Sequence, residues 1–144
     1  MTERWEPRPL PDMALAPETE TYWTAAANGD LLLSECTDCD LVFHYPRQFC
    51  PDCSGTSVAW ITADGTGTIY SYSVSHQAED WPDEHLPLIV AFVELREGPR
   101  IMSNIVSADP EDVSVGQSVE AGFIQTDLDD IAIPVFRPIV SDQE

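Results

Sequence analysis

The sequence predicts a mainly β protein: a short N-terminal helix, a four-cysteine metal clip and a small five-stranded antiparallel barrel. Three observations carry that reading. All four cysteines fall in one stretch, CTDCDLVFHYPRQFCPDC, as two C-x2-C pairs. From Val58 onward, apolar and β-branched runs of strand length follow one another with turn residues between them and no helical period. The stretch with helix signals, APETETYWTAAANGD, comes just before the cysteines. A chain of 144 residues is long enough for one domain, or one domain with a small module.

The elements follow in order. Residues 1–16 are proline-rich and read as an extended arm. Ala16 to Asp30 reads as a short helix: Pro17 suits the first turn, Glu18 and Glu20 suit its positive end, and Asn28-Gly29 is a stop signal. Leu31 to Glu35 is a short strand leading into the cysteine module. Gly67 to His76 alternates, which puts Tyr70, Tyr72 and Val74 on one face and Ile69, Ser71 and Ser73 on the other. Leu88 to Leu95 is a continuous apolar run, expected to be buried on both faces, and Arg100 to Ser107 is its hairpin partner across the turn at Arg96 to Pro99. A loop from Ser107 to Gln117 leads to a strand over Ser118 to Thr126 and an acidic DLDD turn. Ile131 to Val140 closes the chain, and its prolines place it at a sheet edge or in extended structure. The count and spacing of strands fit an oligonucleotide/oligosaccharide-binding (OB) barrel, with an open sandwich as the competitor. The expected division is an arm and helix over 1–30, a ribbon over 31–57 and a barrel over 58–144.

Two residues between paired cysteines let one tight turn present both thiolates to one ion, and two such turns complete a tetrahedral site. Cys36, Cys39, Cys50 and Cys53 are therefore read as the ligands of structural zinc. Rubredoxin-like iron uses the same four-sulfur set, and disulfides are a third reading, which a cytoplasmic setting disfavours. The ten residues between the pairs read as a short β-ribbon, with Leu41 and Phe43 opposite Val42 and His44. Knuckles of this kind favour glycine after the second cysteine, where the backbone turns left-handed. Here Asp40 and Ser54 stand in that place. Four thiolates fill the coordination shell, so the site is structural and not catalytic.

The charge balance excludes several functions. Asp and Glu number 26, arginine and lysine together 6, and lysine is absent. With 43% hydrophobic residues the chain is not a disordered acidic tail. Dense carboxylates suit a folded protein from a cell with molar internal salt, where the Debye length shrinks to about 3 Å; an acidic mesophilic protein is the alternative, and the missing lysine counts against it. No apolar run approaches a membrane span, and the opening MTERWEPRPLPDM is not a signal peptide, so the expectation is a cytoplasmic protein. Arg47, Arg96, Arg100 and Arg137 are scattered, which argues against the runner-up function, a stand-alone nucleic-acid-binding barrel. A third reading is an acyl-CoA-binding protein. Every cysteine is claimed by the clip, and no G-x-S-x-G, Walker or dinucleotide motif is present. His44, His76 and His85 read as solvated or hydrogen-bonding residues, not bases, so no catalytic residue is expected.

The order of a helix, CTDCDLVFHYPRQFCPDC, GTGTIYSYSVSH, PLIVAFVELREGPRIMSNIV, DVSVGQSVE and IPVFRP resembles the DUF35 family. The resemblance covers nearly all of the chain after about residue 15. It implies a rubredoxin-like zinc ribbon followed by an OB-fold, with Cys36, Cys39, Cys50 and Cys53 as metal ligands. It also implies a non-catalytic partner of thiolase-fold enzymes acting on acyl-CoA, here of the β-ketothiolase (acetyl-CoA acetyltransferase) type, which stabilises the catalytic subunit and helps enclose CoA or the acyl chain; some members of the family pair with MaoC-like hydratases. Tyr22, Trp23, Phe43, Tyr45 and Phe49 cluster near the helix and ribbon as candidate partner contacts, and Arg47 is a candidate for a CoA phosphate. Ordinary packing of ribbon on barrel is the competing role for each. Trp81 and His85 are weaker candidates.

Overall fold

The computed structural model describes residues 19–44, 46–77, 86–125 and 132–139. The expected arm, Tyr45, Trp81, His85 and the DLDD turn lie outside the described residues. Helix α1 spans Glu20–Ala27, shorter than the sequence signals allowed. Its end is where Asn28-Gly29 places it. The Gly29 amide donates to the Ala26 carbonyl at 3.0 Å, the Asn28 side chain donates to the Thr24 carbonyl at 3.1 Å, and Gly29 turns to a φ of 91°. Tyr22 and Ala26, four residues apart and so on one face, are buried.

Strands β1 (Leu32–Cys36), β2 (Val42–Phe43) and β3 (Val58–Thr62) form a three-stranded sheet in the order β2-β1-β3. The pairing from Leu32↔Thr62 to Cys36↔Val58 joins residues 58–62 to the ribbon sheet, so hydrogen bonds cross the division expected at residue 58. The reason is the second edge of β1, whose backbone groups β3 satisfies. The partner of β2 is likewise β1, through Ser34↔Phe43 and Glu35↔Val42.

Strands β4 (Thr66–Ser75), β5 (Leu88–Leu95), β6 (Arg100–Ile105), β7 (Ser118–Gln125) and β8 (Ala132–Pro138) close into a barrel in the order β4-β5-β6-β8-β7. That closure rules out the open sandwich. It also moves β8 from the expected edge to a place between β6 and β7. Its prolines are tolerated for a local reason. Phe136 and Pro134 turn their carbonyls toward β6, accepting from the Val106 amide at 2.8 Å and the Ser103 hydroxyl at 2.9 Å. Pro134 and Pro138 share that parity, so the N–H each lacks is directed to the side where β6 and β8 pair only at Ile105↔Phe136.

A register shift between Ile69 and Ser71 changes the faces of β4. Beyond this bulge Tyr72 and Val74 lie opposite Ala91 and Ile89, on the same inner side as Ile69 opposite Val93. The expected grouping of Tyr70 with Tyr72 and Val74 fails because the extra residue resets the two-residue period. β5 differs from expectation too: Ile89, Ala91, Val93 and Leu95 are buried, but Phe92 on the other face is 41% exposed. Tyr22 of the helix, Leu31 and Leu33 at the ribbon, and the inner residues of the barrel belong to one hydrophobic cluster, so all three parts share a core.

Candidate metal centre and the joint beside it

Cys36 ends β1, Cys39 follows in the first knuckle, and Cys50 and Cys53 make the second. The four sulfurs lie within 4.8 Å of one another. Cys36 Sγ is 3.7 Å from Cys53 Sγ, and Cys39 Sγ is 3.7 Å from Cys50 Sγ. Zinc–sulfur bonds of about 2.3 Å give a tetrahedron with edges of about 3.8 Å. A disulfide would need about 2.05 Å, so the sulfurs are spaced for an ion and not for bonds to one another.

Each knuckle is closed by a backbone bond, from the Asp40 amide to the Cys36 carbonyl at 2.8 Å and from the Ser54 amide to the Cys50 carbonyl at 3.0 Å. Asp40 and Ser54 have φ values of 68° and 64°, the left-handed turn that the sequence places there without glycine. Backbone amides are directed at sulfur. Cys53 and Asp52 donate to Cys50 Sγ at 3.4 and 3.3 Å, and Gly55 donates to Cys53 Sγ at 3.4 Å. The Cys53 amide foremost, aided by that of Asp52, brings the Cys50 thiol down to about 7 and favours the thiolate that a metal needs. Cys36 and Cys50 are buried and Cys39 and Cys53 exposed, so one half of the clip is rooted in the fold and the other faces solvent. The set fits zinc or iron and leaves no position for substrate.

Beside the clip, α1, the ribbon and the barrel meet around a cavity of about 290 Å³, lined mainly by Tyr22, Trp23, His44, Met102, Ile133 and Pro134. Its barrel side is the stretch of β6 and β8 that precedes their pair at Ile105↔Phe136. Tyr22 meets Trp23 edge-on at 5.1 Å and His44 at 5.7 Å between ring centroids. Burial lowers the His44 pKa to about 4, so it is neutral near pH 7.

Of the residues singled out in sequence, Tyr22, Trp23 and His44 are brought together at this joint. Tyr22 is only 8% exposed and belongs to the core, and Trp23 packs against it. Phe43 is half-buried on β2. Arg47 and Phe49 are exposed between the knuckles, and His76 is exposed just past β4. Ile101, Met102, Ile133 and Pro134 escaped sequence reasoning, because each reads as an ordinary strand residue until the barrel closes. Three of the four described arginines are committed to carboxylates: Arg96 to Asp64 at 2.8 Å, Arg100 to Glu94 at 3.5 Å and Arg137 to Glu120 at 3.2 Å. Among the described residues there is thus no basic stripe for a phosphate backbone.

A four-cysteine ribbon joined to a closed five-stranded barrel defines a zinc-ribbon and OB-fold protein. Two family models match these parts in order: residues 23–59 match the ChsH2 rubredoxin-like zinc ribbon domain and residues 60–123 the ChsH2 C-terminal OB-fold domain. The chain is 40% identical over 110 residues to a DUF35 domain-containing scaffold protein of Methanocaldococcus jannaschii, covering 72% of this chain and 78% of the relative. It belongs to the DUF35 family. It is also 33% identical over 146 residues to a probable enoyl-CoA hydratase alpha subunit of Thermomonospora curvata, covering 99% of this chain but only 45% of that longer relative. The solved structure of the Ltp2-ChsH2(DUF35) aldolase superposes with a TM-score of 0.80 at 32% identity, over 90% of this chain and 100% of that one. Among the described residues, no helix is long and apolar enough to cross a membrane.

Proposed function

We infer that this chain is a non-catalytic accessory subunit of a thiolase-type acyl-CoA enzyme in a high-salt cytoplasm. It stabilises a thiolase-fold catalytic subunit and helps enclose CoA or the acyl chain. The likeness to the Ltp2-ChsH2(DUF35) aldolase over the whole length of the matched chain carries the reading. The names scaffold protein and alpha subunit among the relatives are consistent with it. The residues agree: all four cysteines are set to hold a metal, which leaves no thiol for catalysis. Zinc is the proposed ion, and its binding energy, on the order of 10 kcal/mol, would hold the ribbon stiff. Claisen condensation or thiolysis belongs to the partner's own cysteine. Arg47, exposed on the ribbon and outside the three ion pairs, is the proposed contact for a CoA phosphate.

The test is recovery of the tagged chain from its native cell at working salt, followed by mass spectrometry of what accompanies it. A thiolase-fold partner, with acyl-CoA activity that needs both chains, is expected. Recovery of the chain alone, or with RNA or DNA, overturns the reading. Metal analysis of the same preparation should give one zinc per chain; a red iron protein would refute the choice of ion.

A further inference from the structure

We propose that the outer face of β4, β5 and β6 is where the catalytic partner polypeptide docks, with the cavity beside Met102 receiving one of its apolar side chains. This rests on the accessory-subunit reading and assigns the contact to the barrel instead of to the exposed ribbon.

The first observation is a gap in the charge. The chain carries a formal charge of −20. Its exposed carboxylates include Asp38, Asp52, Asp64, Asp109 and Glu111, which sit on the knuckles and turns. The outer face of β4–β6 is different. Its rows are Ser71, Phe92 and Met102, then Ser73, Val90 and Asn104, each aligned across the three strands. Glu94 is the acidic residue there, and Arg100 pairs with it at 3.5 Å. Among the described residues, the face is formally neutral.

The second observation is what occupies it. Met102 is 58% exposed, Tyr70 48% and Phe92 41%. The Arg100 guanidinium lies 3.8 Å over the Tyr70 ring, which makes a flat, stacked platform. An antiparallel sheet with a solvated face normally alternates apolar-in with polar-out, and adjoining exposed Phe and Met break that rule. The composition matches the centre of a protein interface, where acids are depleted and Met, aromatics and Arg are enriched.

The third is continuity. Met102 belongs both to this face and to the cavity lined by Trp23, His44 and Pro134. A concave, mainly apolar socket beside the exposed Phe92–Met102 pair suits one anchoring side chain from a partner. The charge selects the occupant. Nucleic acid or an anionic membrane would find only Arg100, already held by Glu94. A second copy would bring two chains of −20 together around the contact, a repulsion that molar salt weakens to contact range but that a less acidic partner does not meet at all. A partner polypeptide with a neutral apolar face meets neither penalty.

The experiment uses the thiolase-fold subunit recovered with the tagged wild-type chain, and measures its affinity for three forms of this chain at working salt. The forms are wild type, the Phe92→Asp/Met102→Asp double variant and Phe49→Asp on the ribbon, each required to keep its metal content and melting midpoint. The double variant should bind at least about 30-fold more weakly, the loss expected at an interface hot spot. Peroxide oxidation of Met102 in the wild-type chain, scored at that residue while metal content is unchanged, gives a readout that needs no variant: fast in the free chain and slowed at least about tenfold in the complex, the protection expected of a residue sealed from water at an interface centre. Binding by the double variant within about threefold of wild type, less than a hot spot costs, or undiminished oxidation in the complex, overturns the location and leaves the accessory role standing. A wild-type chain that is dimeric alone and monomeric as the double variant shows a self-contact and overturns it too. Recovery of no partner defeats the accessory reading itself, and the inference with it.

Discussion

Ser54 holds a left-handed turn at φ 64° in the second knuckle, one residue past a metal ligand. Replacing it with glycine should strengthen the clip. A non-glycine residue in this region costs roughly 1–2 kcal/mol. Glycine's extra freedom in the unfolded chain takes back about 0.4–1 kcal/mol. The net gain for Ser54→Gly is about 0.5–1 kcal/mol, which corresponds to roughly two- to fivefold tighter metal binding if the knuckle forms only around the ion. Asp40→Gly, at φ 68° in the first knuckle, should gain less, because Asp tolerates this conformation better. Gly55→Ala supplies the opposite sign. Its new methyl would sit 2.9 Å from Asp38 Oδ2 and 3.3 Å from Cys53 Sγ, and a sulfur held by metal cannot yield. Competition with a chromophoric chelator measures all three, with the melting midpoint as a second reading. Unchanged or weaker binding by Ser54→Gly, with no gain in midpoint, would refute the claim that this turn is strained.

Three further outcomes are expected. Gly67→Ala should cost about 1–3 kcal/mol in urea unfolding, because its methyl would meet the Glu94 carbonyl oxygen at 2.5 Å and Val93 Cγ1 at 2.9 Å; an unchanged midpoint would contradict the close approach of β4 to β5. His44, lowered by burial from 6.5 to about 4, is neutral in the fold. The unfolded chain gains its proton first as pH falls, so this histidine's contribution is full above about 6.5, fades toward about 4 and has a ceiling of about 3 kcal/mol. Between those pH values the wild type should lose more stability than His44→Gln does, and parallel profiles would be inconsistent with that burial. Finally, melting temperature should climb steeply from dilute buffer to molar KCl, as carboxylate repulsion is screened; a flat response would count against the high-salt setting.

Features that are local in the chain are legible before any strand pairs with another. The clip is local, because two C-x2-C turns carry their own geometry and the left-handed residues follow each pair directly. So is the end of α1 at Asn28-Gly29. The barrel strands were legible to within a few residues from run length and turn chemistry. Tertiary structure decided whatever depends on pairing between distant segments. The bulge after Ile69 set which side Tyr72 and Val74 face. The second edge of β1 drew Val58–Thr62 into the ribbon sheet. Barrel closure placed proline-bearing β8 between two strands and opened the joint where His44, Trp23 and Met102 meet. The neutral face of β4–β6 is invisible in a chain that reads acidic throughout. It exists only once register aligns Phe92 with Met102 and sets Arg100 beside Glu94. Short-range spacing specifies a metal clip. A binding face is specified by which residues several strands turn outward together, and only the closed barrel decides that.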